Sequence, residues 1–196
     1  CGSTTNTRAR QKDVDFAITT YVEEVRIAVR ADSGIKSIKD LNGKTVATTT
    51  GTTSVQALRK HERANGIDFK EVMGKDHAES FLLLETGKAD AFVMDGSILA
   101  ANISRSKNPK NFKIVGEVLA VDPIACMLPK GDAKFKEAVD NSIKRQIKDG
   151  SLAKLYNKWF MQPTPPNNAV INLPLAGKTK EAWANPNNKP AEDYKF

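Results

Sequence analysis

The run Thr48-Thr49-Thr50-Gly51-Thr52-Thr53-Ser54 crowds hydroxyl side chains around a single glycine. An apolar, strand-like stretch precedes it and a helix-like stretch follows. The run therefore falls where the carboxyl end of a strand meets a helix N-terminus. In an open α/β sheet ligands bind at such ends. Gly51 lets the backbone approach a ligand, and the first helical turn offers free N–H groups that suit a carboxylate or a phosphate. No Gly-Lys-Ser/Thr follows, so this is not a nucleotide P-loop, and one glycine is no dinucleotide fingerprint. The plain alternative is a Thr-rich, N-capped turn that holds nothing.

Three further positions offer chemistry. Asp95 follows the apolar stretch Ala91-Phe92-Val93-Met94 and sits where that strand leaves the sheet. A carboxylate there pairs with a ligand ammonium, or else caps the helix that begins near Gly96. His77 opens a helix beside Asp76, where the helix dipole disfavours an imidazolium; the alternative is an exposed first-turn histidine. Arg10, in the opening segment with Ser3, Thr5 and Thr7, is suited to a two-pronged grip on a carboxylate, or is simply solvated. The second histidine, His61, lies on a charged helix and is expected at the surface.

With two histidines and no GxSxG, HExxH or CxxC pattern, no hydrolase, zinc or redox site can be assembled, so no enzyme and no cofactor or metal is expected. The 30 Lys and Arg against 23 Asp and Glu leave a net charge of +7. Those basic residues are scattered, without a Lys/Arg block, a zinc finger or an aromatic RNA-binding signature, which argues against nucleic acid. No apolar run reaches the roughly 18 residues of a membrane span. Cys1 and Cys126 are either two separate buried thiols or one long-range disulfide, which the chain-entropy model credits with about 4–5 kcal/mol and which points to an oxidising compartment.

The elements that must position these groups alternate. Strands are predicted at 24–30, with Val25, Ile27 and Val29 on one face, at 45–49, and across 68–73, 89–95, 112–120 and 124–131. Between them fall a helical turn around Ile38 and Leu41 and three helices: one with Thr53 or Ser54 as N-cap, running to about Asn65 and stopped at Gly66, one from His77 to Gly87, and one from Gly96 onward. Asp76 and Glu79 form a capping box for the second of these. A long helical stretch over 132–160, divided at Gly150, carries Phe135, Val139, Ile143 and Ile147 at helical spacing. This alternation predicts parallel strands with crossover helices, a doubly wound α/β sheet. Beyond Phe160 a Pro- and Asn-rich segment reads as an extended tail. Leu175 and Trp183 suggest docking of parts of it, and its last dozen residues are candidates for disorder.

Taken together, "GSTTNTRARQKDVDF", "SIKDLNGKTVATTTGTTS", "LLETGKADAFVMD" and "AKLYNKWF" resemble the solute-binding proteins of polar amino acid ABC importers. "CGSTTN", "KDHAESF" and "ACMLPKGD" are similar to its glutamate/aspartate-binding members. The resemblance covers essentially the whole chain. It implies a type II periplasmic binding protein fold, two α/β lobes joined by a hinge. Residues 1–22 would be a first-lobe segment and the first hinge, 23–121 the complete second lobe, and 122–196 the second hinge, first-lobe helices and the tail. Family members carry, before the segment matching Cys1, a long stretch that builds most of the first lobe. The chain lacks it, so the expectation is a fragment with one complete lobe and part of the other.

The resemblance also implies roles. Ser3, Thr5 and Arg10 would grip the α-carboxylate of an acidic amino acid in an interlobe cleft, with Arg10 as anchor. Thr49 and Thr52 would contact the ligand from the second lobe, His77 would sit near its side-chain carboxylate, and Asp95 would take its ammonium. Cys1 and Cys126 both fall in first-lobe segments, which fits the disulfide. The family often has an acidic residue just before the arginine, where this chain has Ala9. A periplasmic monomer that hands glutamate or aspartate to a membrane permease is the implied protein. A ligand-sensing receptor domain of the same fold and a carrier for another polar amino acid such as glutamine are the alternatives.

Overall fold

The computed structural model describes residues 1–194. The chain divides into two compact units, one of Cys1–Glu23 together with the segment from Val121 onward, the other of Glu24–Ala120. In chain order the strands are β1 (Asp15–Phe16), β2 (Tyr21–Arg30), β3 (Thr45–Thr49), β4 (Lys70–Gly74), β5 (Ala91–Asp95), β6 (Phe112–Ile124) and β7 (Met127–Leu128). The α-helices are α1 (Thr53–Asn65), α2 (His77–Glu85), α3 (Gly96–Arg105), α4 (Ala133–Lys148), α5 (Ser151–Tyr156) and α6 (Gly177–Ala184). The chain passes between the units within β2 and again within β6.

The second unit is built on a five-stranded sheet ordered β4-β3-β5-β2-β6. Side chains alternate across it. Val25, Ile27, Val29, Val46, Ala91 and Val93 join Leu58 of α1 in one apolar cluster. Their neighbours Ala28, Ala47, Phe92 and Met94 join Phe81 and Leu84 of α2 and Leu99 of α3 in another. Helices thus cover both faces, and a strand covered on both faces reads as a near-continuous apolar run, as β5 does. Each fully buried Leu or Phe stabilises the fold by roughly 1.5–3 kcal/mol.

One expectation fails here. β3 runs parallel to β4 and β5, but β2 runs antiparallel to β5, so the sheet is mixed. Between β2 and β3 the chain makes only a one-turn 3₁₀ helix, Ile38–Leu41. A parallel return normally needs a crossover helix, and without one β3 runs back in the opposite sense. His61 also departs from its expected surface place: it is half-buried, and its Nε2 lies 2.8 Å from the Leu119 carbonyl oxygen.

In the first unit β1 and β7 form a two-stranded antiparallel ribbon. Ala17, Ile18, Leu128, Ile143, Val139 and Ile147 pack together beside it. Cys1 and Cys126 form a disulfide with their Cα atoms 4.4 Å apart, which resolves the two thiol readings. The strand expected over 124–131 shrinks to Met127–Leu128, because β6 runs on to Ile124. Phe135 keeps the spacing of its helix face but is exposed.

The tail is not merely extended. α6 forms within it, and its Trp183 donates an indole N–H to the Thr20 carbonyl at 2.8 Å. Residues expected to be disordered are held: Asn187 accepts from the Thr19 amide, and the Ala191 amide donates to the Asn6 carbonyl, both at 2.8 Å. Lys195 and Phe196, the rest of that expected disordered end, lie outside the described residues. A polar cavity of about 280 Å³ lined by tail residues, among them Lys178, Glu181 and Tyr194, contains none of the predicted site residues.

Candidate functional site

In the second unit the Thr-rich turn follows β3 and leads directly into α1. Gly51 takes a φ of +78°, in the left-handed region that favours glycine, and Thr52 is the residue before the helix, one or two positions earlier than expected. Its side chain does not cap. Instead its hydroxyl donates to the Thr49 carbonyl at 2.9 Å, which tightens the turn; with its one hydrogen used there, Oγ1 can act toward a further group only as an acceptor.

The hydroxyls of the run divide their work. Thr48 donates to Glu71 at 3.0 Å, and Arg59 grips the other oxygen of that carboxylate at 2.6 and 3.0 Å. Thr50 donates to the Gly74 carbonyl at 3.2 Å. Those two bind the turn to neighbouring β4 and α1. Thr49, 3% exposed, points its Oγ1 at the Ser80 hydroxyl, 2.9 Å away, and at Nδ1 of His77, 3.1 Å away.

His77 owes its place to the start of α2. The Asp76 carboxylate accepts the Glu79 amide at 2.8 Å and so caps the helix. The expected capping box closes only in part, since Glu79 reaches one residue further back, to the amide of Lys75. The ring is half-buried, and burial pulls its pKa below the ordinary value near 6.5, with the Asp76 charge acting in the opposite direction. It is therefore a neutral imidazole at neutral pH.

Asp95 ends β5 and is 5% exposed. It stands at the N-cap position of α3, but its side chain makes no capping bond, so the helix-capping reading does not account for it. The hydroxyl of buried Ser54, in the first turn of α1, points to its Oδ1 at 3.5 Å. Asp95 and the lone pairs of Thr52 are acceptors, and the first-turn amides of α1 are donors. Such a set matches a group with N–H bonds beside an anion.

In the first unit Arg10 begins a 3₁₀ turn, Arg10–Lys12, with Ala9 at its N-cap. It is half-buried, not freely solvated, and its Nη1 donates to the Thr5 carbonyl at 2.8 Å. The Thr5 hydroxyl donates to buried Asp122 at 3.1 Å. Ser3 is exposed. Among the described residues no group of three or more His, Cys, Asp or Glu is arranged to hold a metal, and no helix is long and apolar enough to cross a membrane.

Thus Thr49, Thr52 and His77 form one hydrogen-bonded group in the second unit, with Asp95 linked to the same helix start through Ser54. Thr5 and Arg10 form another group in the first unit. Sequence reasoning placed Ser54 in the Thr-rich run without linking it to Asp95, and missed Ser80 and Asp122. Ser80 was accessible, because i,i+3 spacing puts it on the same helix face as His77.

The sequence profile of the bacterial extracellular solute-binding proteins, family 3, matches residues 1–162. The chain belongs to that family. It is 38% identical over 192 residues to the L-glutamate/L-aspartate-binding protein of Pseudomonas aeruginosa, covering 98% of this chain and 64% of the relative. It is likewise 38% identical over 189 residues to the glutamate/aspartate import solute-binding protein of Salmonella typhimurium, covering 96% of this chain and 63% of the relative. The chain thus spans somewhat less than two thirds of the length of these relatives. Among solved structures, an ancestral arginine-binding protein bound to glutamine superposes with a TM-score of 0.71 at 32% identity, over 81% of this chain and 68% of that one. The mixed, helix-covered sheet is accordingly that of a type II periplasmic binding protein, and the family's members bind solutes.

Proposed function

We propose that this family 3 protein binds an acidic L-amino acid, glutamate or aspartate, and delivers it to the permease of an ABC importer. The observation that carries this reading is the group at the carboxyl ends of β3 and β5: Thr49, Thr52 and His77 around one glycine turn, with buried Asp95 linked to the same helix start by Ser54. Asp95 takes the ligand ammonium. Thr49 and Thr52 contact the ligand beside it, and His77 faces the ligand's side chain. Ser3, Thr5 and Arg10 take the α-carboxylate, with the guanidinium as the pairing charge. A zwitterion removed from water needs a partner for each charge, and this set holds both an anion and a cation.

Binding without catalysis is the activity proposed, with the two units of the chain as parts of one carrier. The disulfide suits an oxidising compartment, so the proposed location is the periplasm. The names of the relatives favour an acidic ligand.

One observation favours a second reading. A neutral His77 accepts a hydrogen bond from a carboxamide more readily than it supports a carboxylate, so glutamine is the competing ligand. Equilibrium dialysis of the protein at its full natural length against labelled glutamate tests the choice, with aspartate, glutamine and lysine as competitors. Displacement by aspartate but not by lysine is expected. Displacement by glutamine alone supports the second reading, and no retention of label contradicts the first.

A further inference from the structure

Ser80 is fully buried on α2, and its hydroxyl lies 2.9 Å from two carbonyl oxygens, those of Thr48 and Asp76. Carbonyl oxygens only accept, and a hydroxyl has one hydrogen. If that hydrogen pointed elsewhere, the oxygen would face two carbonyl lone-pair clouds at hydrogen-bond distance with nothing between. The Ser80 hydrogen therefore goes to a carbonyl.

The consequence passes down the chain of contacts. At 2.9 Å from Thr49 Oγ1, the Ser80 oxygen must accept, so Thr49 donates to it. Thr49 has then used its only hydrogen, and at 3.1 Å it accepts from Nδ1 of His77. From this geometry we infer that Ser80 is a positioning residue that fixes the proton of neutral His77 on Nδ1 and leaves Nε2 as its open ring atom. Nε2 then accepts a hydrogen bond in the neutral ring and donates only after the ring takes up a proton. The relay dictates which side-chain groups His77 receives: an N–H donor directly, a carboxylate only with a proton. That last step rests on the proposed reading in which His77 faces the ligand.

Gly74 belongs to the same device. A Cβ built on it would strike the Oγ and backbone nitrogen of Ser80, so the absence of a side chain at 74 is what lets Ser80 sit against β3 and β4. His61 supplies an internal contrast. Its Nε2 faces the Leu119 carbonyl at 2.8 Å and must carry the proton, so the two histidines of the chain are opposite tautomers.

Long-range ¹H–¹⁵N spectra of the ligand-free protein at about pH 8, above the ordinary imidazole pKa, read this directly. His61→Gln assigns the signals. The expected pattern is a protonated Nδ1 and an unprotonated Nε2 for His77, and the reverse for His61. Ser80→Ala frees the Thr49 hydrogen to turn toward the ring, so the Nε2–H form of His77 is expected to appear while His61 stays unchanged. Thr49→Ser keeps the relay and should keep the wild-type pattern. An Nε2–H form of His77 in the wild type overturns the assignment, whether or not the variants fold. A His77 pattern untouched by Ser80→Ala reduces Ser80 to a packing residue. Addition of glutamate is expected to move the Nε2 signal; an unmoved signal overturns only the ligand-facing step, since the tautomer is read without ligand.

Discussion

Nδ1 of His77 lies 3.1 Å from Oγ1 of Thr49, which joins the first residue of α2 to the last residue of β3. Both ends of that bond carry consequences for pH and for ligand choice. Burial holds the ring below its ordinary pKa near 6.5. A group whose folded pKa is depressed in this sense binds its proton more readily in the unfolded chain. Stability therefore rises with pH while the unfolded ring loses its proton, and levels off above that window. Urea melts from about pH 5 to 8 should show that rise, and His77→Gln should flatten part of it. An identical pH profile in the variant would mean that His77 is not the group responsible.

Proton uptake should accompany binding of an acidic side chain. A neutral ring facing a carboxylate gains by protonation, whereas a carboxamide makes no such demand. Calorimetry at neutral pH in two buffers of different ionisation enthalpy should give buffer-dependent heats for glutamate and buffer-independent heats for glutamine. Equal buffer dependence for both would place the ligand side chain away from His77.

Gly74→Ala forces a methyl group against the Ser80 hydroxyl and backbone. Overpacking of this kind costs about 1–3 kcal/mol. A drop of that size in urea unfolding free energy, with the His77 tautomer disturbed, is expected. Full stability would show that β4 and α2 separate without strain.

The second unit carries both of its apolar clusters within Glu24–Ala120. That segment expressed alone is expected to unfold cooperatively in urea, and Leu84→Ala to lower its stability by about 2–5 kcal/mol. A non-cooperative melt of the segment contradicts a self-contained core. In the intact chain, reduction of the Cys1–Cys126 bridge, with a sequence separation of 125, should cost up to about 5 kcal/mol by the loop-entropy relation. Melts with and without reductant measure it.

Much of this arrangement was legible in the sequence. Period-two alternation in Val25, Ile27 and Val29 marked β2, and the Gly66 and Gly87 stops bounded α1 and α2, because local sterics and side-chain periodicity set those features. The direction of β2 was not legible, since strand sense depends on how the 31–44 segment returns rather than on any residue within the strand. Docking of the tail through Trp183 was legible from that residue alone, but its last residues misled for a related reason: Pro and Asn content signals irregular backbone, while Asn187 and Ala191 are held by hydrogen bonds to residues far away in sequence. Thr49, His77 and Asp95 stood out by their positions at element ends. The relay through Ser80 did not, because it depends on the donor and acceptor counts of atoms brought together only by folding.

In the proposed function Asp95 receives the ammonium of an acidic amino acid. The most direct test is calorimetric titration of the protein at full natural length with glutamate and aspartate, beside Asp95→Ala. Losing one partner of a buried charge pair costs roughly 2–5 kcal/mol, about 30-fold or more in affinity. Saturable one-to-one binding that weakens by at least that factor in the variant is the predicted result. Undiminished binding by Asp95→Ala, or no heat with either amino acid, would contradict the account.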